Sequence, residues 1–160
     1  MRRKVIRSTI TLAGDEFADG SNRIVADGLR TLCTIQFGGG AVMPHADIAI
    51  YGLNMDAMLK LTRIRWRDIR SLQKTILIEA GEDGSELSTV YEGNITFGYV
   101  DMSNAPDVAF RIRSTTAALN LYTPSTPSSF PGDVSVVEAI SLLATGMGYS
   151  FENNGVPYSL

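Results

Sequence analysis

Residues 90–112 constrain the fold more than any other stretch, because they alternate with a period of two on both sides of a turn. In the first half Tyr91, Ile95, Phe97 and Tyr99 fall on one face and Glu92, Asn94 and Thr96 on the other. In the second half Val108, Phe110 and Ile112 alternate with Ala109, Arg111 and Arg113. Successive side chains of a strand point to opposite faces, so the pattern predicts two strands of a sheet buried on one side.

The same signal recurs upstream. Ile6, Ile10 and Leu12 alternate with Arg7, Thr9 and Thr11 over residues 5–13, and Gly14-Asp15 ends that strand. Residues 23–37 predict one long or one broken strand, with Asp27-Gly28 as the break or bulge, and Gly38-Gly39-Gly40 as a flexible loop or bend. Residues 47–52 and 75–80 are short apolar strands, the second turning through Gly81-Glu82-Asp83-Gly84-Ser85 into a strand from Ser88 to Val100. A last strand is expected at residues 118–122. Between them Asn54 reads as the N-cap of one short helix carrying Met55, Met58 and Leu59. Many strands separated by turn signals, with a single brief helix, predict a mainly β domain over residues 1–122, an antiparallel β-barrel or sandwich.

Composition shifts at residues 123–133, Thr-Pro-Ser-Thr-Pro-Ser-Ser-Phe-Pro-Gly-Asp, which make a semi-rigid linker. In residues 134–160, Ser135 and Glu138 have capping-box spacing, and Val136, Val137, Ile140, Leu143, Ala144 and Met147 form an apolar helical stripe. Residues 149–151 then predict a strand with Asn153-Asn154-Gly155 as its turn. One helix and one hairpin cannot bury their own apolar faces, so this small α+β element is expected to pack on the barrel, on a partner, or to open a second, incomplete domain.

Charge is unevenly spread. The chain of 160 residues has a net charge of -3, yet residues 60–74 hold six basic side chains and one acid, so that stretch is +5 and the remainder -8. If it is extended, Arg63, Arg65 and Arg67 share one face, with Ile64 and Trp66 on the other. Such a row suits contact with an acidic protein surface or with nucleic-acid phosphates, or else blunts an edge strand against unwanted pairing.

Catalytic motifs are not evident. The single histidine, His45, and the single cysteine, Cys33, cannot make a zinc set, and no Gly-x-Ser-x-Gly elbow is present. Cys33 shares a strand face with Leu29, Ile35 and Phe37 and reads as a small core residue. The carboxylate pairs Asp15-Glu16 and Glu82-Asp83 sit in glycine-flanked turns, where acids serve solubility and turn geometry. The methionines after Asn54 read as core filler. No enzyme activity, cofactor or metal is therefore expected. No apolar run reaches the ~18 residues of a membrane helix, and the N-terminal residues lack the apolar stretch of a signal peptide.

Ile48-Ala-Ile-Tyr-Gly-Leu with its Met-containing helix, Ile78-Glu-Ala-Gly with Val90-Tyr-Glu-Gly-Asn-Ile, and Asp101-Met-Ser-Asn-Ala-Pro-Asp-Val-Ala-Phe, in that order, resemble the N-terminal region of phage tail baseplate hub proteins. Residues 135–148 followed by Phe151-Glu-Asn-Asn-Gly-Val resemble the opening of the next domain of such hubs. The resemblance implies a tail-tube-like β-barrel whose copies form a homotrimeric ring. That ring joins the tail tube to the central spike and other baseplate proteins, and lets DNA pass in transit through its channel. It places the protein in the virion tail, after assembly in the host cytoplasm, and offers no catalytic residues. Arg63, Arg65 and Arg67 are then the candidate assembly contact, and the acidic remainder would keep passing DNA from sticking. Two alternatives stand beside it. One is a stand-alone β-sandwich or barrel binding a carbohydrate or small ligand on Trp66, Tyr91 and Tyr99. The other is a hydrolase using paired carboxylates.

Overall fold

The computed structural model describes residues 3–39, 42–62 and 72–155. It divides into two compact units, Met1–Tyr122 and Thr123–Leu160.

The first unit is one antiparallel sheet with a helix packed on it. In chain order the strands are β1 (Lys4–Thr11), β2 (Arg23–Asp27), β3 (Thr31–Gln36), β4 (His45–Tyr51), β5 (Thr75–Glu82), β6 (Ser88–Asp101) and β7 (Ala109–Thr115), with helix α1 (Met55–Leu61) between β4 and β5. Their order across the seven-stranded sheet is β2-β1-β5-β6-β7-β4-β3. The expected strand break at Asp27-Gly28 is larger than a bulge: it separates the two edge strands of the whole sheet.

That order dictates curvature. Strands lie ~4.8 Å apart, so a flat sheet of this order would hold β2 and β3 about 29 Å from each other. Only residues 28–30 connect them, and that link spans at most roughly 15 Å. The sheet therefore curls until its edges come within the reach of the link, and Gly28, at φ 73°, takes the turn. It is not a closed barrel, since among the described residues no ladder joins β2 to β3.

Curling gathers the inward side chains into one core. Ile10, Ile48, Ile50, Ile76, Ile78, Tyr91, Ile95, Phe110 and Ile112 come from five strands and are all at most 3% exposed. Helix α1 closes this core through Ala57, Met58 and Leu61, the last of them fully buried. The helix begins where predicted: the Asn54 side chain accepts a hydrogen bond from the Ala57 N–H at 2.7 Å, satisfying a donor that has no partner within the first turn. Met58 is core filler, whereas Met55 and Leu59 lie exposed.

Several expectations are corrected. The register of β6 against β7 shifts between Ile95 and Phe97, so Thr96 is an extra residue and the alternation inverts there. Tyr91 and Ile95 point into the core, but Phe97 and Tyr99 pair opposite Arg113 and Arg111 and face outward. Residues 118–121 form a 3-10 turn, Ala118–Leu121, because Ala117 adopts a left-handed conformation at φ 56° just after β7 and reverses the chain. Phe37 lies beyond the end of β3 and is 68% exposed, while Cys33 and Ile35 do pack against the core.

The second unit contains helix α2 (Val136–Gly146). Ser135 caps it as predicted, its hydroxyl accepting from the Glu138 N–H at 3.2 Å. No strand forms among residues 149–155. The Tyr149 N–H donates to the Ala144 carbonyl at 2.8 Å, with Gly148 left-handed at φ 80°, so the residues expected to start a hairpin instead finish the helix. The Asn153-Asn154-Gly155 turn is present, its Gly155 N–H bonded to the Asn153 side chain. Among the described residues no helix is long and apolar enough to cross a membrane.

Candidate functional site

Arg63, Arg65, Arg67 and Trp66 lie outside the described residues. The ends of their segment are fixed. Thr62 caps α1, its hydroxyl donating to the Met58 carbonyl at 2.7 Å, and Leu72 is buried at the far end. The Lys74 ammonium donates to the Lys60 carbonyl at 2.8 Å, tying the two ends of the basic stretch together. Lys60 in turn bonds the Glu16 carbonyl and lies 3.7 Å from Asp15. Two of the six cations in the stretch, Lys60 and Lys74, are thus tied into the described fold.

The described surface with most chemical character is the outer face of β3, β4, β7 and β6. Ladder registers set its rows: Thr34, Asp47, Arg113 and Phe97 make one, and Leu32, Ala49, Arg111 and Tyr99 make the next. Ala49 is small and only 3% exposed, so it forms a floor between flanking walls. The result is a groove of about 490 Å³.

Each arginine of the groove is held by a carboxylate. Arg111 Nε donates to Asp101 at 2.9 Å and Arg113 Nε to Asp47 at 2.9 Å. Asp101 is also bonded by the Ser103 hydroxyl at 2.6 Å and the Ser103 N–H at 3.0 Å. Those Ser103 bonds, and then Arg111, hold the Asp101 carboxyl below the ordinary aspartate range, so it stays ionised and fixes the guanidinium. The Phe97 and Tyr99 rings tilt against each other with centroids 5.4 Å apart. Near one end, Arg30 lies 4.5 Å over the Tyr51 ring, a cation–π contact. Aromatic and arginine side chains of this kind carry most of the binding energy at protein interfaces.

Of the three aromatic residues proposed as a stacking platform, Tyr91 is buried in the core, its hydroxyl bonded to Ser114, and cannot meet a ligand. Tyr99 is 42% exposed and stands in the groove. The sequence alternation hid its neighbours because it counted through the bulge at Thr96. Arg111 and Arg113, outward-facing at spacing two on β7, were the readable part of the groove.

The other chemistry-bearing residues are dispersed. His45 opens β4 opposite Gln36 and Thr115. Glu82 pairs with Lys4 at 2.7 Å on the surface, and Asp15 with Lys60. Cys33 is half-buried, and burial pushes its thiol pKa up, away from the reactive thiolate. Among the described residues no group of His, Cys, Asp or Glu could hold a metal ion.

In the second unit Ile140, Leu142, Leu143 and Met147 lie 43–56% exposed and no residue of α2 is buried. Contiguous exposed apolar surface on a helix is the usual mark of an interaction face. No family model matches the chain, and neither does any curated protein.

Proposed function

We propose that the protein is a structural subunit of a phage tail baseplate hub, whose copies form a ring that joins tail tube to central spike and passes DNA during ejection. Its curled sheet serves there as the tail-tube-like β element, with the β2 and β3 edges left for neighbouring copies. The motif order from Ile48 to Phe110 supports the family. The observation that carries the assembly role is the curled sheet itself: two open edge strands held within the reach of residues 28–30. Open edges present unpaired backbone groups and are ordinarily blunted or covered, and a ring of subunits covers them. Exposed α2 and the Arg111–Arg113 groove add apolar and polar contact surface of the same purpose. The partners are further copies of this chain, the tube, the spike and other baseplate proteins, and the site of action is the virion tail.

The experiment is the native mass of the purified chain, with negative-stain images of any assembly. A mass three or six times that of one chain, with a central opening in the particle, supports the hub. A monomer at micromolar concentration overturns it.

The groove favours one second reading, a small-ligand or carbohydrate module using Tyr99 and Phe97. Its mark is a monomer whose Tyr99 and Phe97 signals shift on titration with a sugar panel.

A further inference from the structure

We propose that β3 is a self-pairing edge, along which two copies of this chain join antiparallel about a two-fold axis at Cys33. The two edges of the sheet are built differently. β2 begins at Arg23 and ends at Asp27, and Asp27 is tied to Arg7 at 2.9 Å. β3 is Thr-Leu-Cys-Thr-Ile-Gln, with no charge, no proline and no register shift. Charge, proline and bulges are the usual defences of an open edge, and β3 has none of them.

Backbone geometry then sets the register. The Tyr51 N–H donates to the Arg30 carbonyl at 2.9 Å, on the ladder that places Thr31 opposite Ile50. In an antiparallel ladder directly bonded pairs alternate, so the even-numbered residues of β3 turn their backbone groups to β4. Thr31, Cys33 and Ile35 turn theirs to the open edge. Among the described residues no backbone hydrogen bond reaches that edge. Setting Cys33 opposite Cys33 of a second copy puts Thr31 opposite Ile35 and Leu32 opposite Thr34. Every outward N–H and C=O of these residues then has a partner. Side-chain faces agree as well: Cys33 and Ile35 stay on the core side, while Leu32, now 51% exposed, meets Thr34 of the other copy on the outer face. The grooves that Leu32 and Thr34 line are brought side by side.

This pairing does not rest on the hub reading, and one experiment separates them. In a directly bonded antiparallel pair the Cα atoms lie ~5.5 Å apart, within the range that a disulfide spans. Cys33 is the one cysteine of the chain, so its oxidation has a single disulfide product. Treating the native protein with copper(II) phenanthroline takes one electron and one proton from each thiol, reduces two Cu(II) to Cu(I), and forms the S–S bond. We expect a cross-linked dimer on non-reducing electrophoresis and a native mass of two or six chains. The double variant Leu32→Lys/Thr34→Lys sets lysines opposite lysines at exposed positions, and should halve the native mass and abolish the cross-link while the circular dichroism spectrum is kept. A trimer without cross-link overturns the pairing and leaves the hub ring standing; a cross-linked dimer does the reverse, and a cross-linked hexamer supports both. A monomer, or a double variant that still cross-links, overturns the pairing. If the variant loses its β spectrum, the mass and cross-link of the unmodified chain decide.

Discussion

Across the buried face of the sheet the Tyr91 hydroxyl donates to Ser114 Oγ at 3.0 Å, and Ser114 passes the bond on to the Asn94 carbonyl at 2.9 Å. Gly93 lies beneath this chain of bonds, and a Cβ there would collide with both the Tyr91 hydroxyl and Ser114 Oγ. Tyr91 is 3% exposed and Ser114 fully buried, so neither polar atom has water to fall back on.

Gly93→Ala should therefore destabilise the first unit by about 1–3 kcal/mol, the usual cost of overpacking. Tyr91→Phe removes the donor but leaves Ser114 with its bond to Asn94, and should cost only about 1 kcal/mol. Urea denaturation of both variants checks the order. A neutral Gly93→Ala would show that the core gives way more easily than its contacts imply.

Asp101 gives a pH-dependent prediction. Its carboxylate is favoured by the two Ser103 bonds and by Arg111, which lower its pKa in the folded protein. A group with a depressed folded pKa contributes stability that is complete above its ordinary value and lost as pH falls through the lowered one. Asp101 should thus titrate below the ordinary aspartate value as acid is added, and Ser103→Ala should move its midpoint upward. Carboxyl NMR titration of both proteins measures this; an unmoved midpoint would mean that Ser103 does not hold the charge.

Leu61 is the fully buried end of α1, and its carbonyl lies close over Gly98 of β6. Leu61→Ala should cost about 2–5 kcal/mol. Because α1 packs chiefly on β6, hydrogen exchange should speed up first in the helix and at residues 97–101.

How much of this was legible in the sequence depends on how local the cause is. Asn54 and Ser135 announce their helices because a cap is settled within three residues. Phe110, Ile112 and Arg111 keep their expected faces on β7, because the extra residue of the β6–β7 ladder lies on β6 and β7 itself runs without one. Phe97 and Tyr99 were assigned to the wrong face because one extra residue at Thr96 flips everything after it, and nothing in Ile-Thr-Phe marks the bulge. Residues 118–122 look like a strand until Ala117 turns left-handed, which an alanine seldom does. The largest miss is that Asp27-Gly28 divides the two edges of the sheet. Strand partners are chosen across the whole chain, and a local pattern of Gly after Asp says only that the backbone turns. The groove followed from both errors, since it needs β3 at the edge and the tyrosine outside.

The arginine row is the next test. Changing Arg63, Arg65 and Arg67 together to Glu replaces three cations by three anions, and by like-charge repulsion at an acidic neighbouring surface should reduce a ring of three to single chains and one of six to β3-paired dimers. Light scattering reads the mass, and an unchanged assembly would remove these residues from the contact.

A subunit of a ring shows itself in its native mass. Native mass spectrometry of the purified protein, a chain of 17.3 kDa, should give a dominant species of three or six chains that persists on dilution to micromolar concentration. A monomer, or a dimer that never exceeds two chains, would rule out the ring.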